Sequence, residues 1–219
     1  MKKILSAFAV LVALTACNSN EPKSDNVMTN NESQAIIENI MTRTSIRQYT
    51  DQTVSADTIE TLLRAGMAAP TAVNAQPWHF VAVNDKAKLQ ELAAANPRAK
   101  MLETAPLAIV VCGDLKKAME GPGRAFWIQD CSAATENILL AAHALGLGAV
   151  WTALYPMDER ITPVREALKL PDTLIPLCTV VIGYPAEQPD PKDKWKPENV
   201  SYNEFGGQMS EVTKAIEDS

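Results

Sequence analysis

Hydrophobic and polar positions along the chain switch between a helical and a strand period. In ESQAIIENIM, Ile36, Ile37 and Ile40 recur at helical spacing, and SADTIETLLRAGM places Ile59, Leu62, Leu63 and Met67 likewise behind Ser55, a good N-cap residue. Both predict amphipathic helices. HFVAVN alternates as a strand does, DKAKLQELAAA predicts a helix capped by Asp85, and PLAIVVCGD is an unbroken apolar run of the kind found in a strand buried on both faces. From Arg124 to Leu145, RAFWIQDCSAATENILLAAHAL is apolar on much of its circumference and predicts a central core helix, stopped by Gly146 and Gly148. GAVWTAL then reads as a short strand, MDERITPVREALKL as a helix broken near Pro163, and LIPLCTVVIGYP as another buried strand. Two helices followed by strands alternating with helices predict an α+β fold, a sheet packed by helices on both sides. The tail EQPDPKDKWKPENVSYNEF is too polar to form core and needs a surface to lie on, its own or a partner's.

The N-terminus changes the picture. MKKILSAFAVLVALTACNSN carries two lysines, an apolar run from Ile4 to Leu14 and then small residues, the layout of a secretion signal. That run is too short to stay in a bilayer as a spanning helix. Leu14-Thr15-Ala16-Cys17 resembles a bacterial lipobox, in which the cysteine is lipidated and becomes the new N-terminus. The expected organisation is a signal peptide over 1–16, a polar, flexible tether over 17–33 and one globular domain over 34–219. The expected place is the cell envelope, with Cys17 as lipid anchor on the periplasmic or surface face of a membrane.

The chain has 219 residues, with 20 Lys plus Arg against 26 Asp plus Glu and a net charge of −6, which argues against nucleic acid as a partner. Once Cys17 is lipidated, Cys112, Cys131 and Cys178 remain, without CxxC or metal-ligand spacing, and Cys112 and Cys178 sit in apolar runs as small hydrophobes. No Gly-rich phosphate loop, GxSxG or HExxH is present. Only two histidines are available: His143 falls on the central helix and reads as a core histidine, and His79 begins a strand. No metal site is expected.

What remains suits a flat, anionic ligand. In RTSIRQY, Arg43, Ser45 and Arg47 leave one face of an extended segment, and guanidinium forks with a hydroxyl can neutralise a phosphate; a solvated strand face accounts for them equally well. Lys192 and Lys194 repeat the alternation in the tail, where a lysine pair is ordinarily just solvated. In APTAVNAQPWHF, Thr71, Asn74 and Gln76 can hydrogen-bond the edge of a heterocycle while Trp78 anchors the loop, although by itself this is an ordinary helix-to-strand connection. In ALGLGAVWTALYP, the glycines permit close backbone approach, and a backbone N–H there can meet a ring nitrogen. A capping glycine before a core strand explains them as well.

In this order, RTSIRQY, APTAVNAQPWHF, the long helix ending GLGAVW and VVIGYPAEQPDPKDKWKP resemble the nitroreductase family of flavin enzymes, from about Gln34 to Pro197. The resemblance implies a three-layer fold with a central, mostly antiparallel sheet flanked by helices, in a homodimer whose C-terminal tails are exchanged. It implies FMN as cofactor. Arg43, Thr44, Ser45 and Arg47 would then hold its phosphate and ribityl chain, and Lys192 and Lys194 would return to the phosphate. Pro70, Thr71, Ala72 and Asn74 would touch the flavin of the neighbouring subunit, and Trp151, Thr152 and Ala153 would lie beside the reactive ring. Lys194 stands where the family often has arginine, and Thr71-Ala72 where two serines are common; Lys100 stands within a residue of the place of a flavin-contacting lysine. No catalytic side chain is singled out.

The implied activity is ping-pong hydride transfer from NAD(P)H, through FMN, to a nitroaromatic, quinone or similar small-molecule acceptor. The lipobox sits awkwardly with a nicotinamide donor, because such donors are not normally supplied outside the cytoplasm. Alternatives are a membrane-tethered protein that binds or delivers flavin without turnover, a reductive dehalogenase-like variant, and an exported interaction protein without flavin.

Overall fold

In the computed structural model, residues 29–208 are described. The expected signal peptide, Cys17 and most of the tether lie outside them. Apart from the RTSIRQY segment, each predicted helix and strand forms, in the predicted order. The helices are α1 (Asn30–Thr42), α2 (Ala56–Met67), α3 (Lys86–Ala95), α4 (Phe126–Ala144) and α5 (Asp158–Leu168); the strands are β1 (Trp78–Val83), β2 (Leu107–Asp114), β3 (Gly148–Ala153) and β4 (Leu174–Gly183).

The four strands form one antiparallel sheet in the order β1-β2-β4-β3. On one face, Leu107, Ile109 and Val111 with Val180 and Ile182 join a core cluster with Leu62 of α2 and Ala134, Ile138 and Ala142 of α4. On the other, Ala108, Val110 and Val181 pack with Leu89 and Leu92 of α3 and Ile161 and Val164 of α5. Because both faces are covered, β2 and β4 read as continuous apolar runs although the sheet is antiparallel. Cys112, Cys131 and Cys178 are buried free thiols within these layers. Burial pushes Cys112 and Cys178 up to about 12 and raises Cys131 as well, so all three remain protonated.

Three local readings are corrected. Helix α1 begins at Asn30, inside the expected tether, because Thr29 and Glu32 form a capping box: Thr29 Oγ1 accepts from Glu32 N–H, and the Glu32 carboxylate accepts from Thr29 N–H at 2.7 Å. Helix α5 runs through Pro163 rather than breaking there, held by the buried Ile161 and Val164 on either side of the proline. RTSIRQY is not a full strand. It touches the sheet through single bridges, Ser45 with Ala149 in parallel and Tyr49 with Pro185 in antiparallel.

Candidate functional site

The basic segment is fixed to the sheet by backbone and sterics. β3 is an edge strand, and Ile46 N–H donates to Ala149 O at 3.0 Å along its free side. A Cβ on Gly148 would sit 2.5 Å from Ile46 Cγ2, so only glycine lets the segment lie this close. Gly146, at φ +73°, supplies the left-handed turn that ends α4. Further along, Tyr49 is buried, its hydroxyl donating to Ile46 O at 2.6 Å, and burial raises its ionisation well above the ordinary phenol range. The Glu187 carboxylate accepts from both Arg47 N–H (2.5 Å) and Gln48 N–H (3.1 Å), which ties the segment to the start of the tail.

The tail's lysines return to Arg43. Arg43, Lys192 and Lys194 line a single cavity of about 480 Å³, with Ile40, Met41 and Trp195 as its apolar walls. Two carboxylates share it, Asp193 and Glu136, the latter 3.5 Å from Arg43 Nε. Three cations against two anions leave an excess of positive charge, which suits a phosphate. Thr44 lines an adjoining cavity of about 330 Å³ with Gly146, Gly148 and Glu187. His143 lines it too. It is half-buried rather than a core residue, and its Nε2 is 2.9 Å from Thr42 Oγ1. As that hydroxyl already donates to Glu38 O at 2.7 Å, the imidazole is the donor. Arg47 is exposed and lines neither cavity; of the two arginines, Arg43 is the enclosed one.

At β3 the backbone rather than the side chains faces outward. Leu154 N–H donates inward to Leu177 O at 3.0 Å, while Ala153 O accepts from Arg160 Nη1 on the other side at 3.2 Å. By strand alternation, the N–H groups of Trp151 and Ala153 point away from β4, along the free edge. Thr152 is turned inward, its hydroxyl donating to Thr179 O at 2.9 Å, so its side chain is spent on the fold.

The Pro70 loop stands apart from these groups within the protomer. Pro70, Thr71 and Ala72 line a cavity of about 350 Å³ with Phe126, Gln129 and Asp130 of α4. Asn74 lies outside that lining and accepts from Gln76 Nε2 at 3.1 Å. The loop is strained: Val73, Asn74 and Gln76 have φ of 48°, 56° and 49°. It is held by buried Asp130, whose carboxylate accepts from Ala72 N–H at 2.9 Å, and by Thr71 Oγ1, which accepts from Gln76 N–H at 3.1 Å.

Asp130, Glu136 and Glu187 are the site residues that sequence reasoning missed. Asp130 and Glu136 left only the trace of two carboxylates inside a largely apolar helical stretch. Among the described residues, no group of His, Cys, Asp and Glu is arranged to hold a metal ion.

The comparisons with known proteins agree with this architecture. The Nitroreductase family model matches residues 40–96 and 90–184. A Methanothermobacter thermautotrophicus protein, provisionally named NADH dehydrogenase/NAD(P)H nitroreductase, is 44% identical over 167 residues, covering 75% of this chain and 85% of the relative. A crystal structure from Bacteroides thetaiotaomicron under the same provisional name superposes with a TM-score of 0.73 at 46% identity, covering 78% of this chain and 98% of that one. An FMN-dependent nitroreductase from Clostridium difficile superposes at 0.71 and 31% identity, covering 77% and 99%. Sheet order, flanking helices and the extent of these matches agree, and the chain belongs to the nitroreductase family.

Proposed function

We propose that the chain is an FMN-dependent NAD(P)H oxidoreductase that reduces small acceptors of the nitroaromatic or quinone class. The observation that carries this reading is the convergence of Arg43, Lys192 and Lys194, far apart in sequence, on one cavity, which shares Pro191 with the cavity lined by Gly148 at the start of β3. The donor set fits FMN: a guanidinium and two ammonium groups for the phosphate, and outward N–H groups at Trp151 and Ala153 for the ring. Held there, FMN would supply the redox chemistry between the nicotinamide and the acceptor. The chain's own residues bind and orient. Arg43 anchors the anionic end, Glu187 fixes the backbone of Arg47 and Gln48, and Asp130 holds the Pro70 loop in its strained form.

The groups assigned to one flavin lie in separate cavities of a single protomer, which supports completion of the site by a second copy contributing its Pro70 loop. Helix α1 buries none of its residues, leaving Ile36, Ile37, Ile40 and Met41 uncovered, and Trp195 and Phe205 in the tail are exposed, apolar surface of the kind a partner covers. A homodimer with exchanged tails follows from this reading.

The test is the absorption spectrum of the purified protein and of the Arg43→Ala/Arg47→Ala double variant. Stoichiometric FMN is expected in the first and none in the second; unchanged flavin content in the variant would sink the phosphate assignment. Turnover separates enzyme from carrier: bound flavin should be reduced by NAD(P)H and reoxidised by a nitroaromatic or quinone over many cycles.

The lipobox-like Leu14–Cys17 string supports envelope anchoring through Cys17. Among the described residues, no helix is long and apolar enough to cross a membrane. Cys17→Ser should therefore move the protein from the membrane fraction to the soluble one. Retention in the membrane at the wild-type level would refute the anchor.

A further inference from the structure

A fourth cavity, of about 490 Å³, lies on the other side of the start of α4, and none of the residues assigned to flavin lines it. Helix α4 divides the two sides within one turn: Phe126 and Gln129 line the Pro70-loop cavity, while Trp127 and Ile128 line this one. The aromatic wall is rigid. Trp127 packs against the backbone at Gly113, where a Cβ would come within 2.2 Å of its ring, and it meets Tyr155 edge-on at 5.0 Å. Ile161 and Ile175 extend the apolar surface.

The polar groups in this cavity are two arginines, Arg124 and Arg165, with Asp158 and Thr162. Arg124 makes no ion pair among the described residues. Arg165 donates through Nη2 to Asp172, a fully exposed carboxylate at 2.5 Å. Its Nε is the buried side-chain nitrogen that lacks an acceptor among the described residues. A ligand in the cavity meets the exposed quarter of the Arg165 side chain rather than this buried nitrogen, and a planar oxyanion is the partner that a guanidinium fits best. An aromatic wall with two guanidinium groups beside it, Arg124 making no ion pair among the described residues, has the features of an open ligand pocket with a few convergent polar groups.

We propose that this cavity binds a small aromatic carboxylate bearing a hydroxyl or amine, at a site separate from the flavin. The carboxylate pairs with Arg165 and Arg124, the ring lies on Trp127 and Tyr155, and the hydroxyl or amine donates to Asp158.

Calorimetric titration of the flavin-containing protein with 4-hydroxybenzoate tests this. One saturable site is expected, with 4-hydroxybenzamide, its neutral analogue, binding at least about tenfold more weakly, since a charge-assisted pair is replaced by a neutral one. Arg124→Ala, at an exposed position, and Arg165→Lys, which keeps the charge but loses the planar fork, should each weaken binding about tenfold while leaving the flavin spectrum unchanged. Four outcomes would overturn the proposal: no saturable binding to the wild type up to ~10 mM, beyond the affinity range of a built site; undiminished binding to Arg124→Ala; inorganic phosphate binding as tightly as 4-hydroxybenzoate; or displacement of the ligand by added FMN. Should Arg165→Lys fail to fold, the Arg124 variant and the amide comparison decide.

Discussion

Val73 is the residue where local conformation and composition disagree most. A β-branched side chain at φ 48° is strained, and at 79% exposure it recovers little by burial. Val73→Gly relieves roughly 1–2 kcal/mol of left-handed strain against about 0.5–1 kcal/mol of added unfolded-chain entropy. Thermal unfolding should show a net gain of up to about 1.5 kcal/mol, a rise of at most roughly 3–6 °C for a domain of this size. If the loop is held strained for binding, the same variant should also retain flavin less tightly, read from the off-rate on dilution. At this scale the sequence was only partly legible. The convergence of Arg43 with Lys192 and Lys194 on one cavity was legible only through the resemblance, since each charge taken alone read as well as a solvated group; Trp78 was legible because a lone tryptophan beside a strand is a natural anchor. Asp130, Glu136 and Glu187 were not: each is an ordinary carboxylate whose meaning comes from a backbone N–H or guanidinium brought to it by distant chain.

Among the elements, the contact between Gly148 at the start of β3 and Ile46 decides whether the basic segment reaches the sheet. Gly148→Ala forces Ile46 away or bends β3, an overpacking that costs roughly 1–3 kcal/mol. Denaturant unfolding should show that loss, together with reduced flavin content. A variant with full flavin and wild-type stability would mean that the close packing is not what positions the segment. Helices and strands were legible because period and caps agree, as at Ser55 and Asp85, whose side chains cap α2 and α3 as expected. RTSIRQY was over-read as a strand. Alternation signals extended backbone, but whether a segment forms a ladder or two isolated bridges depends on how much of a neighbouring edge is free, which no local pattern encodes. Pro163 was over-read as a break, because buried neighbours hold a helix that local propensity alone would interrupt.

For the whole molecule, the exposed apolar face of α1 and the tail aromatics predict association. Light scattering on the flavin-loaded protein should give twice the protomer mass, and removal of the chain after Pro189 should reduce it to one protomer with loss of flavin. A flavin-loaded monomer would refute completion of the site by a second copy. The layered fold was legible from the order of elements, since alternating strands and helices around apolar runs leave few ways to bury both faces of a sheet. A closed assembly is implied only by the resemblance, because an uncovered apolar face does not say what would cover it.

The single backbone bond from Ile46 to Ala149 has a consequence beyond ligand positioning. An edge strand with unpaired N–H and C=O groups is a template on which other chains can polymerise, and here the basic segment is the guard laid along it, carrying charge and little regular pairing of its own. Binding and protection against self-assembly therefore depend on the same few residues: Gly148→Ala, which loosens that guard, should aggregate on storage, whereas Val73→Gly, which leaves it in place, should not.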